Sequence, residues 1–164
     1  MYEYAKSKES IVSILKSPTK IVVKTTIPAS ESEFTYENGI KTWVGALFVD
    51  IVNSSRLFQY ANEDTARIID CVYCIYTTPY QKDLVSVFRH AYRINSFLKM
   101  LNKLLSQNDY PTIQAGIGLG CSQDLIIKAG QSGTGINDKI WIGKAVVDAA
   151  HLSDKANRNG VSAI

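Results

Sequence analysis

Long apolar runs are missing from this chain of 164 residues. The most apolar stretches, around residues 43–51 and 70–76, stop far short of the roughly 20 residues that a membrane-spanning helix needs. The first 17 residues are interrupted by Glu3, Lys6, Lys8, Glu9 and Lys16, so they lack the continuous apolar core of a secretory leader. Excess charge is missing too. Eighteen Lys and Arg against fifteen Asp and Glu leave +3, which gives a nucleic-acid reader no footing. Cysteine is scarce and odd in number: Cys71, Cys74 and Cys121 form no disulfide framework and suit a reducing cytoplasm. Cys71-Val72-Tyr73-Cys74 has the spacing of a redox or zinc pair, yet it lies in an alternating, strand-like run with no second pair downstream. These thiols read as ordinary buried or half-buried residues. What is present is globular: 46% apolar and 20% charged residues, in a length that fits one domain with one core.

Patterning gives the elements. Residues 1–17 read as a short amphipathic helix with Ile11, Val12, Ile14 and Leu15 as its stripe, ended at Ser17-Pro18 because the residue before proline avoids the helical region. Residues 21–26 are β-branched and strand-like. Residues 27–42, with Pro28, Ser30, Asn38 and Gly39, read as a connector or hairpin outside the main core, so the domain boundary is placed between an N-terminal segment 1–42 and a main domain 43–164. Residues 43–51 are apolar almost to the end, the pattern of a central strand covered on both faces. Asn53-Ser54-Ser55 offers N-cap chemistry for a helix to about residue 67. Residues 70–76 are a second strand. Apolar residues at 84, 88, 91, 94, 98, 101 and 105 predict a long amphipathic helix. Residues 112–119 and 125–129 are expected to form a hairpin, with Gly116, Gly118 and Gly120 marking close backbone approach or tight bending. A glycine-rich loop over 130–138 leads to a last helix with Val146, Ala149, Leu152 and Ala156 on one face. The sum is an α/β sandwich with helices on a mixed or antiparallel sheet.

Asp50 is the most informative residue. A carboxylate ending an apolar strand costs free energy unless something compensates it; the plainest reading is a cap at a strand–helix turn. Asp70 heads the next strand. If the two strands are neighbours, both carboxylates reach one sheet edge, where hard oxygen ligands suit Mg²⁺ or Mn²⁺. Two such ions could clamp a triphosphate and activate an attacking hydroxyl. The amides of residues 52–55 would open a helix N-terminus, which favours phosphate oxygens.

These residues carry a resemblance. Phe48-Val49-Asp50-Ile51-Val52-Asn53-Ser54-Ser55 is similar to the first metal motif of the class III nucleotide cyclases, and Asp70-Cys71-Val72-Tyr73 to the second. Gly116-Ile117-Gly118-Leu119-Gly120 resembles the glycine-bearing strand that follows. Ile142-Gly143-Lys144-Ala145-Val146 through Ala149-Ala150-His151-Leu152 resembles the closing helix. The four motifs occur in the family's order over residues 43–157. The resemblance implies a cyclase catalytic domain with a ferredoxin-like core and helices on a mostly antiparallel sheet. Finer features resemble the bacterial anti-phage pyrimidine cyclases of the Pycsar systems: Tyr76-Thr77-Thr78-Pro79-Tyr80-Gln81, Ile127-Lys128-Ala129-Gly130 and Gly135-Ile136-Asn137-Asp138-Lys139-Ile140-Trp141-Ile142-Gly143. That implies conversion of UTP to 3′,5′-cyclic UMP and pyrophosphate, with CTP and cyclic CMP as the alternative, in a cytoplasmic homodimer whose active sites form between subunits. The product would switch on a separate effector. Asp50 and Asp70 would be the catalytic metal ligands, joined by the carbonyl of Ile51, with two Mn²⁺ or Mg²⁺ per site. Phe48, Asn53, Ser54, Ser55, Trp141 and His151 would contact substrate.

The chain also departs from the family's pattern. Asp50 and Asp70 stand only 20 residues apart, and Ile69 replaces the expected hairpin glycine. A helix over residues 55–67 would advance roughly 18–20 Å, and two residues return at most about 7 Å. A segment near residues 62–70 is therefore expected to be missing, seen as a break in the chain. Lys144, Val147 and His151 stand where many members have Asp, Asn and Arg, which removes the direct case for a purine product. His151, Lys128, Arg56, Arg89 and Arg93 are the cations that could stabilise charge in their place. The same departures make a catalytically inactive cyclase-like dimerisation or sensor domain the alternative.

Overall fold

The computed structural model describes residues 19–52, 71–130 and 137–158, and, near the start, residues 8, 9, 11, 12, 15 and 16. The elements run β1 (Lys20–Val23), β2 (Asn38–Ile51), β3 (Cys71–Thr77), α1 (Gln81–Gln107), β4 (Ala115–Gly130), β5 (Asn137–Ile142) and α2 (Lys144–Arg158). The sheet order is β1-β2-β4-β5, and β3 also pairs with β2. β1 is parallel to β2, and every other pairing is antiparallel. α1 covers one face through Val87 and Ala91 on Leu47 and Ile117. α2 covers the other through Ala145 and Ala149 on Val44 and Ala46.

The central strand behaves as its apolar run predicts: Val44, Ala46 and Leu47 are fully buried, covered from both sides. It starts earlier than expected, however. Residues 38–42 belong to β2, because Ile40 and Thr42 alternate inward, both 1% exposed, while Lys41 and Trp43 point out. Residues 20–23 pair with them in parallel register, and Phe34 packs with Ile40 and Ile126. The boundary drawn at residue 42 thus falls inside a strand, and residues 20–42 build on the same sheet as the rest.

α1 follows its 3,4 periodicity. It begins after the Thr78-Pro79 turn, with the Asp83 carboxylate accepting from Tyr80 N at 3.0 Å. It ends at Asn108, followed by Asp109 in the left-handed region at φ 59°. Its flanks stay apolar and exposed, among them Phe88, Tyr92, Phe97 and Met100. No helix among the described residues is long and apolar enough to cross a membrane.

Two sequence expectations are corrected here. Residues 112–129 do not fold into a hairpin: β4 is one strand of 16 residues, paired with β2 from Ala115 to Ile127 without interruption. Its glycines serve as a seat for α2, described below. Cys71 and Cys74 are exposed, not buried, and Cys121 is half-buried; none of the three forms a disulfide among the described residues. Because side chains alternate along a strand, a spacing of three sends Cys71 to the α2 face and Cys74 to the α1 face, so the two cannot pair or share a metal. The expected helix over 55–67 and the expected chain break lie outside the described residues.

Candidate functional site

Alternation assigns one face of the sheet to α2: Thr42, Val44, Ala46, Phe48 and Asp50 on β2, and opposite them Asp124, Ser122, Gly120, Gly118 and Gly116 on β4. The glycine row makes a groove. A Cβ on Gly120, Gly118 or Gly116 would collide with the carbonyl oxygens of Ala145, Ala149 and Ser153 respectively. Four helical residues rise about 6 Å and two strand residues about 6.7 Å, so the two rows stay in step. Ala145, Ala149 and Ser153 are accordingly buried. The expected helix face shifts: Ala149 is on it, but Leu152 is 47% exposed, because the glycine row selects a four-residue repeat of small side chains.

Polar groups fix α2 at both ends. At its start, Asp124 is fully buried; its Oδ1 accepts from Ser122 Oγ and, at 3.3 Å, from Ala145 N, which also donates to Ser122 Oγ at 2.8 Å. This satisfies an amide that the first helical turn leaves without a partner. Asp124→Ala should lower stability by about 1–2 kcal/mol, a melting shift of roughly 2–8 °C for a domain this size, measurable by calorimetry. At the other end, Asn157 Nδ2 donates to Asp50 Oδ2 at 2.5 Å.

Asp50 is half-buried and sits between two register partners, Gly116 on β4 and Cys71 on β3. One step back on the same face, Phe48 stacks on its cross-strand partner Tyr73, with ring centroids 5.3 Å apart at 16°. Tyr73 is 55% exposed. Asp50 therefore lies at the end of the central strand beside an open aromatic pair. A separate apolar groove of about 400 Å³ lies on the opposite face, lined by Leu84, Val85, Phe88 and Leu119, and does not reach this carboxylate. That face also carries Tyr76, stacked on His90; its phenol is pushed up by partial burial, then by the charge and hydrogen bond of Cys74.

No family model matches the chain. It is 38% identical to a uridylate cyclase of Treponema porcinum over 183 aligned positions, covering 96% of this chain and 64% of that protein. The chain thus spans less than two thirds of that relative's length. A uridylate cyclase of Gulbenkiania mobilis is 23% identical over 193 positions, covering 98% of this chain and 74% of that protein. Among solved structures, a class III adenylyl cyclase-like ATP-binding protein from Pseudomonas aeruginosa superposes with a TM-score of 0.61 at 12% identity, over 94% of this chain and 40% of that one. The chain has the class III nucleotide cyclase fold. The resemblance read from the four motifs holds. Both alignments to the relatives are longer than the 164 residues of this chain, so each relative carries residues with no counterpart here.

On this cyclase fold the expected site residues divide into groups. Asp50, Phe48 and Ile51 come together at the end of β2, and the Ile51 position is held where Val52 N donates to Gln114 O at 2.8 Å. Asn53, Ser54, Ser55 and Asp70 lie outside the described residues. Cys71, the residue after Asp70, is described, and it pairs with Asp50. Trp141 packs at the other end of the sheet, in register with Ile126, which pairs with Ile40. Ten strand residues, roughly 33 Å, separate Ile40 from Asp50. His151 is exposed on α2, on the side away from the glycine row. Within one protomer neither Trp141 nor His151 joins Asp50. No group of three His, Cys, Asp or Glu side chains is assembled among the described residues. The donors that are described, the Asp50 carboxylate and the carbonyl-bearing strand end at Ile51, are hard oxygens and fit Mg²⁺ or Mn²⁺ in kind.

Asn157 was not among the residues singled out from sequence. The signal that could have found it is the helix repeat: Ala145, Ala149, Ser153 and Asn157 stand four apart, and the first three match glycines spaced by two on β4.

Proposed function

We propose that this chain is a pyrimidine nucleotide cyclase that converts UTP to 3′,5′-cyclic UMP and pyrophosphate. The observation that carries this reading is Asp50: on a class III cyclase fold, it ends the central strand directly opposite the residue that follows Asp70. The choice of base is supported by the two relatives named uridylate cyclase. In the reaction the ribose 3′-hydroxyl attacks the α-phosphorus. A new oxygen–phosphorus bond forms, the bond to the β-phosphate oxygen breaks, the hydroxyl proton is lost and pyrophosphate leaves. Asp50 and Asp70, with the Ile51 carbonyl, would hold two Mn²⁺ or Mg²⁺. When bound, such ions offset charge on the triphosphate and on the attacking oxygen. The chain's own part is to place oxygen donors at a rigid strand end and to offer the Phe48–Tyr73 pair beside them, so that positioning lowers the barrier.

The site is assembled by two subunits in this reading. The separation of Trp141 and His151 from Asp50 within one protomer supports it, since those residues could serve only a partner's Asp50. A homodimer burying about 1,600 Å² or more is expected, and sedimentation should show a dimer at micromolar concentration. A fully active monomer would overturn the shared site. The sequence features shared with the Pycsar enzymes support a cytoplasmic role in anti-phage signalling through an effector that binds the product.

Offering the full chain all four nucleoside triphosphates with Mn²⁺, and identifying products by mass, tests the function. Cyclic UMP from UTP is the expected result. Cyclic CMP would move the assignment to CTP. A folded dimer that turns over none of the four would establish the inactive sensor instead.

A further inference from the structure

If Asp50 binds a cation, something must hold its carboxylate in a fixed plane. We propose that Asn157, near the end of α2, is the positioning residue for Asp50, an inference that rests on the metal reading of Asp50. Asn157 Nδ2 donates to Asp50 Oδ2 at 2.5 Å. Its Oδ1 is buried, with no hydrogen-bond partner among the described residues. The reversed amide would press Oδ1 against a carboxylate oxygen, two acceptors with no proton between them, so the carboxylate selects the observed orientation.

The amide cannot slide away. A Cβ on Gly116 would stand 2.8 Å from Asn157 Cγ and closer still to Oδ1. Asn157 thus fills the space that the missing Gly116 side chain leaves, and Gly116 is the register partner of Asp50. The last glycine of the row that seats α2 therefore also admits the amide. Its place along the strand is set from the far end as well, where Ser122 and Asp124 hold the first turn of α2. A neutral donor suits this role. It fixes one carboxylate oxygen and leaves the charge intact for a cation, whereas Lys or Arg here would compete with the ion.

The test titrates Mn²⁺ into the full chain without nucleotide, following free Mn²⁺ by electron paramagnetic resonance. Asn157→Ala should weaken Mn²⁺ binding by about 10–100-fold, the usual effect of losing a group that orients a ligand. kcat should fall by a similar factor at fixed, moderate Mn²⁺ and recover in part at saturating Mn²⁺, with KM for the nucleotide little changed. Ser153→Ala, one turn earlier, removes only a hydroxyl bonded within the helix to Ala150 O and should leave Mn²⁺ affinity as it was. If Asn157→Ala fails to fold, Asn157→Ser, which keeps a small polar side chain too short to reach Asp50, gives the same comparison. Mn²⁺ affinity within about twofold of the parent in the folded variant overturns the proposal, whatever happens to turnover. If Asp50→Asn itself leaves Mn²⁺ binding and turnover intact, the metal reading falls, and this inference with it; loss in Asp50→Asn with no change in Asn157→Ala isolates the failure to Asn157.

Discussion

Asp50→Asn should reduce turnover at least about a thousandfold while the domain stays folded. The substitution keeps the shape and the acceptor that Asn157 Nδ2 uses and removes only the charge. A cation that offsets charge in the transition state contributes several kcal/mol, and about 4 kcal/mol corresponds to a thousandfold in rate. Stability is a different matter. The carboxylate is half-buried and still partly solvated, so exchanging it for an amide of the same shape changes folding by only about 1 kcal/mol in either direction. The melting temperature should therefore move by only about 2–4 °C. Single-turnover measurement of cyclic nucleotide formation beside calorimetry separates the two effects. A variant that keeps more than about a tenth of its turnover rules out Asp50 as a metal ligand. A variant that unfolds assigns it instead to the cap role that residue type alone suggests.

Why Asp50 was legible in the sequence, and Asn157 was not, has a physical reason. An acid at the end of an apolar run violates the burial pattern of its own strand, so a local reading finds it. Asn157 violates nothing locally. It ends a polar stretch of a surface helix, and its role appears only once α2 is laid on β4 and brought within reach of a residue 107 positions earlier. The long helix α1 was legible for the opposite reason, since seven apolar residues at 3,4 spacing leave one choice of face. The hairpin expected between residues 119 and 125 shows where local rules mislead. Glycines at alternate strand positions weigh toward a bend when the strand is considered alone. Here they are a packing feature, and the fully paired register of Ser122, Gln123 and Asp124 with Val44, Trp43 and Thr42 shows that the strand runs straight through. Trp141 illustrates a third limit. Its motif placed it near substrate, whereas within the protomer its ring packs against the core beside Phe34 and Ile126; a sequence motif does not say which subunit's site a residue serves.

Gly118→Ala should be among the most destabilising single-methyl additions in the chain, and it probes that straight, glycine-lined strand. The new Cβ would lie 2.5 Å from Ser153 N, 2.9 Å from Ala149 C and closer still to Ala149 O. All three are backbone atoms of α2, so no side-chain rotation relieves the overlap. The helix must lift by about an ångström or more, which opens the contacts of Ala145 and Ala149 with Val44 and Ala46. Overpacking of this kind costs about 1–3 kcal/mol and more where backbone must move, so a loss of about 3 kcal/mol or above is expected, roughly 6–12 °C in melting temperature. Gly39→Ala is the control. Its Cβ would meet Leu125 Cδ1 at 2.8 Å, the tip of a side chain that can turn aside, and an alanine restricts the unfolded chain. That variant should stay within about 1 kcal/mol of the parent. Lifting α2 also draws Asn157 away from Asp50, so Gly118→Ala should lose Mn²⁺ affinity even at temperatures where it remains folded. Equal melting temperatures for the two variants would mean that α2 does not sit on the glycine row.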